Sequence, residues 1–228
     1  MKVSFIVPVY NEERNIIEVI RRLKALTLEK EIIVVDDGSY DQTPMLLEQF
    51  RNDSEVVIHL SRLNFGKGTA IRVGLKVAKG DIIAIQDGDM EYDVMDYYKI
   101  IAMFDDPSVS VVYGSRFSER IHPGVIWRYW LGNMVLRFLA NLLYNANITD
   151  EATAYKAFRR DVISGMDLRC KRFEFCPEVT AKVRKAGYII HEVPINYDPR
   201  SIREGKKIRM KDGIVAVWTL LRLRLFSG

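Results

Sequence analysis

Apolar runs that do not alternate with polar residues constrain this chain more than any other feature. Residues 3–7, 31–35, 56–60, 81–86 and 109–113 are continuous and rich in β-branched side chains. A strand apolar throughout is covered on both faces. Between these runs lie segments with helical spacing. Ile16, Val19, Ile20 and Leu23 recur through residues 12–26, Leu46, Leu47 and Phe50 through 41–50, and residues 68–78 follow a glycine-bracketed lysine. Strands and helices in alternation predict an α/β fold: a Rossmann-like, mostly parallel sheet with helices on both faces.

In such sheets ligands bind beyond the carboxyl ends of the strands. Each predicted strand ends in a polar cluster. Pro8-Val9-Tyr10-Asn11-Glu12 follows the first, and Asp36-Asp37-Gly38-Ser39 the second. Asn64-Phe65-Gly66-Lys67-Gly68 follows the third, Asp87-Gly88-Asp89-Met90-Glu91 the fourth and Gly114-Ser115-Arg116 the fifth. These clusters are expected to converge on one cleft.

Asp87 and Asp89 are the strongest chemical signal. Two carboxylates one residue apart beyond a buried strand offer hard oxygen ligands to Mg²⁺ or Mn²⁺, with Glu91 as a third donor, direct or through water. Gly88 between them lets the backbone approach a ligand. Asp36 and Asp37 either accept hydrogen bonds from a base or ribose or shape a turn and cap a helix. Lys67 offers a cation to an anionic nucleotide at a helix start. The segment is not a P-loop, because the glycine spacing differs.

The second half reads differently. Residues 125–144 are aromatic and apolar with Arg128 and Arg137 interspersed, 150–160 are polar, 173–185 are helical and 188–195 form a strand. Residues 200–211 carry Arg200, Arg203, Lys206, Lys207, Arg209 and Lys211 against Glu204, part of a formal net charge of +4. Such a patch suits phosphates, anionic lipid or nucleic acid, or is simply a solvated basic loop. Residues 213–226 are apolar with Arg222 and Arg224, too short to span a bilayer, and predict an amphipathic helix lying on a membrane or packing on the protein. The division expected is a domain over 1–212 and this helix over 213–228. Cys170 and Cys176 make no disulfide framework, and no zinc-type spacing occurs. The first residues enter a strand without a signal-peptide cleavage pattern, so a cytoplasmic location is expected, peripheral on a membrane's cytoplasmic face. Nucleic acid is not an expected partner, because the aromatics cluster in 127–144 instead of alternating with basic residues.

The four nucleotide-half motifs (Ile6 to Glu12, Val35 to Ser39, Asn64 to Gly68, and Gln86 to Asp89) resemble, in order and separation, those of the family 2 inverting glycosyltransferases of the GT-A fold. Gly114-Ser115-Arg116-Phe117, Thr149-Asp150, the run from Tyr155 to Arg160, the run from Phe173 to Glu178, and Glu204-Gly205-Lys206-Lys207-Ile208 are similar to the polyprenol-phosphate (dolichol-phosphate) mannosyl- and glucosyltransferase branch. The resemblance covers nearly the whole chain. It implies transfer of a hexose from GDP-mannose or UDP-glucose to a polyprenyl phosphate at a membrane surface. It implies that Pro8, Tyr10, Glu12, Asp36, Asp37, Lys67 and Asp87 line the nucleotide-sugar pocket, and that Asp87, Asp89 and Glu91 hold the metal. Arg116 and Arg128 would meet the acceptor phosphate, and Arg200, Lys206 and Lys207 would belong to a loop closing over the diphosphate. Asp150 is a base, a phosphate-orienting group or a helix N-cap. The chain departs from the branch at Gly88, where alanine is usual, and at Glu151-Ala152-Thr153-Ala154. Many relatives carry C-terminal membrane helices, and none is expected within this sequence. The alternatives are a family 2 transferase with a soluble sugar or protein acceptor, or a basic nucleic-acid-binding module. A nucleotidyltransferase lacks its glycine-rich signature here.

Overall fold

A computed structural model describes residues 1–117, 127–200, 207 and 210–226. In chain order the elements are β1 (Val3–Val9), α1 (Ile16–Ala25), β2 (Lys30–Asp36), α2 (Thr43–Leu47), β3 (Val56–Leu60), α3 (Lys67–Val77), β4 (Ile82–Ile85), α4 (Tyr97–Ala102) and β5 (Val111–Ser115). The second half adds α5 (Trp127–Tyr144), β6 (Lys156–Arg159), α6 (Arg160–Ser164), α7 (Phe175–Lys185), β7 (Ile190–Pro194) and α8 (Met210–Leu225).

Seven strands form one sheet in the order β3-β2-β1-β4-β6-β5-β7. Pairing is parallel except around β6, which runs antiparallel to both β4 and β5. Every residue of β1 is buried, as is every residue of β4 and β5. Two apolar layers cover the sheet. Phe5, Val7, Val34 and Ala84 face one, with α1 and α4; Ile6, Ile33, Ile85 and Tyr113 face the other, with α3 and α7. The mostly parallel α/β sheet expected from the sequence is therefore present.

Three local differences have physical causes. The first helix begins at Ile16, not residue 12, because Glu12 and its neighbours are drawn into side-chain bonds with the next loop, including Glu12 N–H to Thr43 Oγ1 at 2.9 Å. β3 is an edge strand with exposed residues, so it is not covered on both faces. β6 lies where the sequence reads polar. Its charged Lys156 is fully buried, and its short run is held by ladders on both sides. No helix follows Asp150, so the helix-cap reading of that residue does not apply.

α8 packs on α5 and α7 through Ala216, Leu220 and Leu223, and Leu220 O accepts a 2.6 Å bond from Tyr144 Oη. Both α5 and α8 are apolar on their outer sides as well. Trp127, Leu131, Val135, Phe138 and Leu142 are exposed along α5, and Ile214, Val215, Trp218 and Leu225 along α8. Among the described residues, no helix is long and apolar enough to cross a membrane.

Candidate active site

The chain ends leaving β1, β4 and β5 open into one cavity of about 740 Å³. All five strand-end clusters reach it: Pro8, Tyr10 and Glu12; Asp37; Asn64, Gly66 and Lys67; Asp87, Asp89 and Glu91; and Arg116. Arg200 and Lys207 close it from the C-terminal side.

Asp37 positions one wall. Its carboxylate accepts from the backbone N–H of Phe65 at 2.9 Å and of Gly66 at 2.6 Å, tying the turn after β2 to the turn before α3. Gly66 has φ of 101°, and a Cβ there would run into the Lys171 carbonyl. Only glycine fits that approach. Asp36 is different: it lies buried beneath the rim, outside the cavity lining, and accepts from Ser39 N–H at 3.1 Å and Ser39 Oγ at 2.5 Å. Its geometry is that of the turn-shaping role. Burial pushes both carboxyls above the usual range, against these hydrogen bonds.

The Asp87-Gly88-Asp89 turn carries an excess of negative charge. Burial first, then the charge of Asp87, pushes Asp89 up to about 7, opposed by Arg200. Lys67 forms an ion pair with Asp87. Arg200 serves three carboxylates at once: Nη2 donates to Asp89 Oδ2 at 2.5 Å, Nη1 to Glu12 at 3.3 Å and Nε to Glu91 Oε1 at 3.4 Å. Lys207 Nζ donates to Glu12 Oε1 at 2.6 Å and to the Tyr10 carbonyl. Glu91 also accepts from Tyr197 Oη at 2.9 Å, so Arg200 and a phenol already engage it.

Among the described residues, no three His, Cys, Asp or Glu side chains surround a single point. Asp87 and Asp89 nevertheless fit a hard divalent ion. They are two carboxylates one residue apart on the lining of the cavity. Mg²⁺ is commonly held by one or two carboxylates, with phosphate oxygens and water completing its shell. Glu91 is not gathered with them around one point.

Elsewhere on the cavity lining Arg116 grips Asp150 in a bidentate pair. Nε to Oδ2 is 2.6 Å, Nη2 to Oδ1 is 2.8 Å, and the Arg116 N–H adds a 3.1 Å bond. Asp150 is fully buried and absent from the cavity lining. Glu192 of β7 holds its segment by accepting from Thr149 N–H at 2.7 Å and Asp150 N–H at 3.0 Å. The carboxylate keeps the Arg116 pKa well above its ordinary value despite burial. Nε and Nη2 are committed to Asp150, and the guanidinium also hydrogen-bonds the Tyr197 hydroxyl. An arginine fork held this way suits a phosphate, which favours planar, multidentate recognition.

Arg128 is exposed and off the cavity, with its guanidinium over its neighbour Trp127. Lys206 lies outside the described residues. The cavity also takes in Tyr92, Leu136, Arg172, Phe175, Cys176 and Tyr197, which no strand-end rule singles out. Phe175 and Cys176 stand in a motif of the second half, whereas Tyr92 and Tyr197 carry no local signal.

Comparison with known proteins agrees with this geometry. Residues 4–166 match the family described as Glycosyl transferase family 2. The low-salt glycan biosynthesis hexosyltransferase Agl6 of Haloferax volcanii is 30% identical over 86% of this chain, which spans 48% of that protein. The UDP-N-acetylglucosamine–dolichyl-phosphate N-acetylglucosaminyltransferase of Methanococcus voltae is 29% identical over 98% of this chain and 96% of its own length. Glucosyl-3-phosphoglycerate synthase of Mycobacterium tuberculosis, crystallised with Mn²⁺, UDP-glucose and phosphoglyceric acid, superposes with a TM-score of 0.74 at 16% identity, over 97% of this chain and 79% of that one. At that identity the likeness establishes the shared GT-A fold. With the family match covering most of its length and the strand-end cavity in place, this chain belongs to glycosyl transferase family 2 and is a glycosyltransferase.

Proposed function

We propose that the chain transfers a hexose from a UDP- or GDP-sugar to a polyprenyl phosphate, with inversion, at a membrane surface, using Mg²⁺ or Mn²⁺. The carrying observation is one cavity lined both by an acidic turn at Asp87 and Asp89 and by a carboxylate-anchored arginine, Arg116. The acceptor named for the Methanococcus relative, dolichyl phosphate, supports the lipid part.

Asp87 and Asp89 would hold the ion. The chemistry it supplies when bound is neutralisation of charge on the departing nucleoside diphosphate. Pro8, Tyr10, Glu12, Asp37 and Lys67 would bind and orient the donor, and Arg200 and Lys207 would turn to the diphosphate from the carboxylates they now hold. A phosphate monoester has a second pKa of about 6 and is already an anionic nucleophile near neutral pH. The acceptor wall therefore needs alignment more than a strong base. Arg116 supplies that alignment, and Asp150 fixes Arg116 instead of removing a proton. The exposed apolar sides of α5 and α8, with Arg222 and Arg224 nearby in sequence, would rest on the bilayer that carries the lipid.

The test is transfer from UDP- and GDP-sugars to a prenyl phosphate, beside an arm with soluble phosphate acceptors. Transfer should require the prenyl phosphate. It should vanish with EDTA or in Asp89→Ala, while circular dichroism stays that of the parent. Full activity in EDTA excludes the metal, and transfer only to soluble acceptors overturns the lipid assignment.

A further inference from the structure

A column of aromatic rings runs from the sheet to the acceptor wall. Phe5 of β1 meets Tyr97 edge-on at 4.7 Å, Tyr97 stacks on Tyr155 at 4.4 Å, Tyr155 on Tyr92 at 4.6 Å, and Tyr92 lies 5.2 Å from Tyr197. The four inner rings are buried. Tyr97 Oη donates to the Ile85 carbonyl at 2.7 Å, Tyr155 Oη donates to Gln86 Oε1 at 2.8 Å, and Tyr92 Oη accepts from Ala154 N–H at 3.2 Å. The three inner tyrosines are thus each fixed by ring contacts and by a hydrogen bond, and the last ring inherits a rigid support.

Tyr197, the outermost ring, belongs to the strap that follows β7. Asn196 N–H donates to Asp96 Oδ2 at 2.6 Å, Tyr197 bridges Tyr92 through the backbone, and Asp198 N–H donates to the Glu91 carbonyl at 2.8 Å. The side chain touches both halves of the site. Its ring lies 4.9 Å from the Arg116 guanidinium carbon, and its hydroxyl donates to Glu91 Oε2 at 2.9 Å. Glu91 in turn receives Arg200. One rigid phenol therefore spans from the arginine of the acceptor wall to the carboxylate–arginine pair of the donor wall.

We propose that Tyr197 is a positioning residue that sets the distance between these two walls. Its ring face orients Arg116 for the acceptor phosphate, and its hydroxyl keeps Glu91 in place as Arg200 turns from it to the donor diphosphate. The proposal rests on the transferase reading above. Losing the hydroxyl removes its bonds to Glu91 and Arg116, while losing the ring also removes the aromatic face against the Arg116 guanidinium.

The full chain, as Tyr197→Phe and as Tyr197→Leu, is titrated with a nucleoside diphosphate plus Mn²⁺ and, separately, with farnesyl phosphate. Tyr197→Phe should weaken nucleotide binding about tenfold or more, the size of one hydrogen bond to a carboxylate, and weaken farnesyl phosphate less than Tyr197→Leu does. Tyr197→Leu should weaken both, farnesyl phosphate by about fivefold or more, because a leucine cannot stack under a guanidinium. Unchanged farnesyl phosphate binding in Tyr197→Leu overturns the proposal, as does an equal effect of the two variants on both ligands. If the parent binds nucleotide but no prenyl phosphate, the lipid assignment has failed, and the ring–guanidinium link is judged by melting temperature. Losses from Tyr197→Leu and Arg116→Lys that fall short of additive in the double variant uphold it, and strictly additive losses overturn it.

Discussion

Glu151 stands next to the residue that anchors Arg116, and it is the most poorly satisfied group described. It is fully buried; Oε2 accepts from Thr180 Oγ1 at 3.0 Å, and Oε1 has no hydrogen-bond partner. The fully buried Lys156 donates to the Glu151 backbone carbonyl at 3.0 Å, and its ammonium sits 3.5 Å from the centre of the Tyr113 ring. Burial pushes the Glu151 carboxyl from 4.5 up to about 8, with the charge of Lys156 opposing. The folded value lies above the unfolded one, so the favourable contribution is whole below about pH 4.5 and disappears as pH rises through 8. Glu151→Gln removes the titration and keeps the shape. Its melting temperature should match the parent near pH 4.5, exceed it increasingly toward pH 8 and stay level above that. The rise from 4.5 to about 8 corresponds to roughly 5 kcal/mol, so a gain of about 10–20 °C is expected, at roughly 2–4 °C for each kcal/mol in a chain of this size. A difference constant from pH 5 to 9 would rule out a titrating Glu151.

Elements set what each residue can reach, and the outer sides of α5 and α8 pose the clearest question at this scale. The two helices pack together, and each carries apolar side chains on both its packed and its exposed side. Phe138 is 62% exposed and Trp218 55%. Seating such a side chain in the bilayer interface contributes up to about 1.5–3 kcal/mol. Phe138→Ser with Trp218→Ser should therefore lower partitioning onto anionic vesicles at least tenfold, with little change in melting temperature. Undiminished sedimentation with vesicles would leave these sides without a membrane role. The same scale shows what a sequence can and cannot convey. β1, β2 and β4 are legible because continuous apolar runs have few other uses, and the acids after them are legible because open sheets bind ligands at that edge. β6 is hidden because Lys156 and Arg159 flank only two apolar residues, and its place comes from neighbours distant in the chain. Tyr92 and Tyr197 escape notice for the same reason: nothing within a dozen residues of either marks the other as its partner.

The molecule as a whole should respond to its donor, because the cavity joins segments from Pro8 to Ala216. A ligand held only by the folded state adds about 2.7 kcal/mol at a hundredfold excess over its Kd, and hence roughly 5–11 °C at this chain length. UDP, GDP and their sugars, each with Mg²⁺ or Mn²⁺, should separate into one nucleotide that raises the melting temperature by that amount and others that do not. A flat response across the whole series would contradict the donor reading. The reversed course of β6 has its own consequence. Lys156 begins that strand level with Ile85 and Tyr113, near the finish of the adjoining strands. Residues 149–155 therefore reach the rim as incoming chain, while the nucleotide-side clusters leave it as outgoing chain. On the proposed reading, acceptor and donor contacts lie in separable stretches, and exchanging 149–155 between relatives should re-aim one without rebuilding the other.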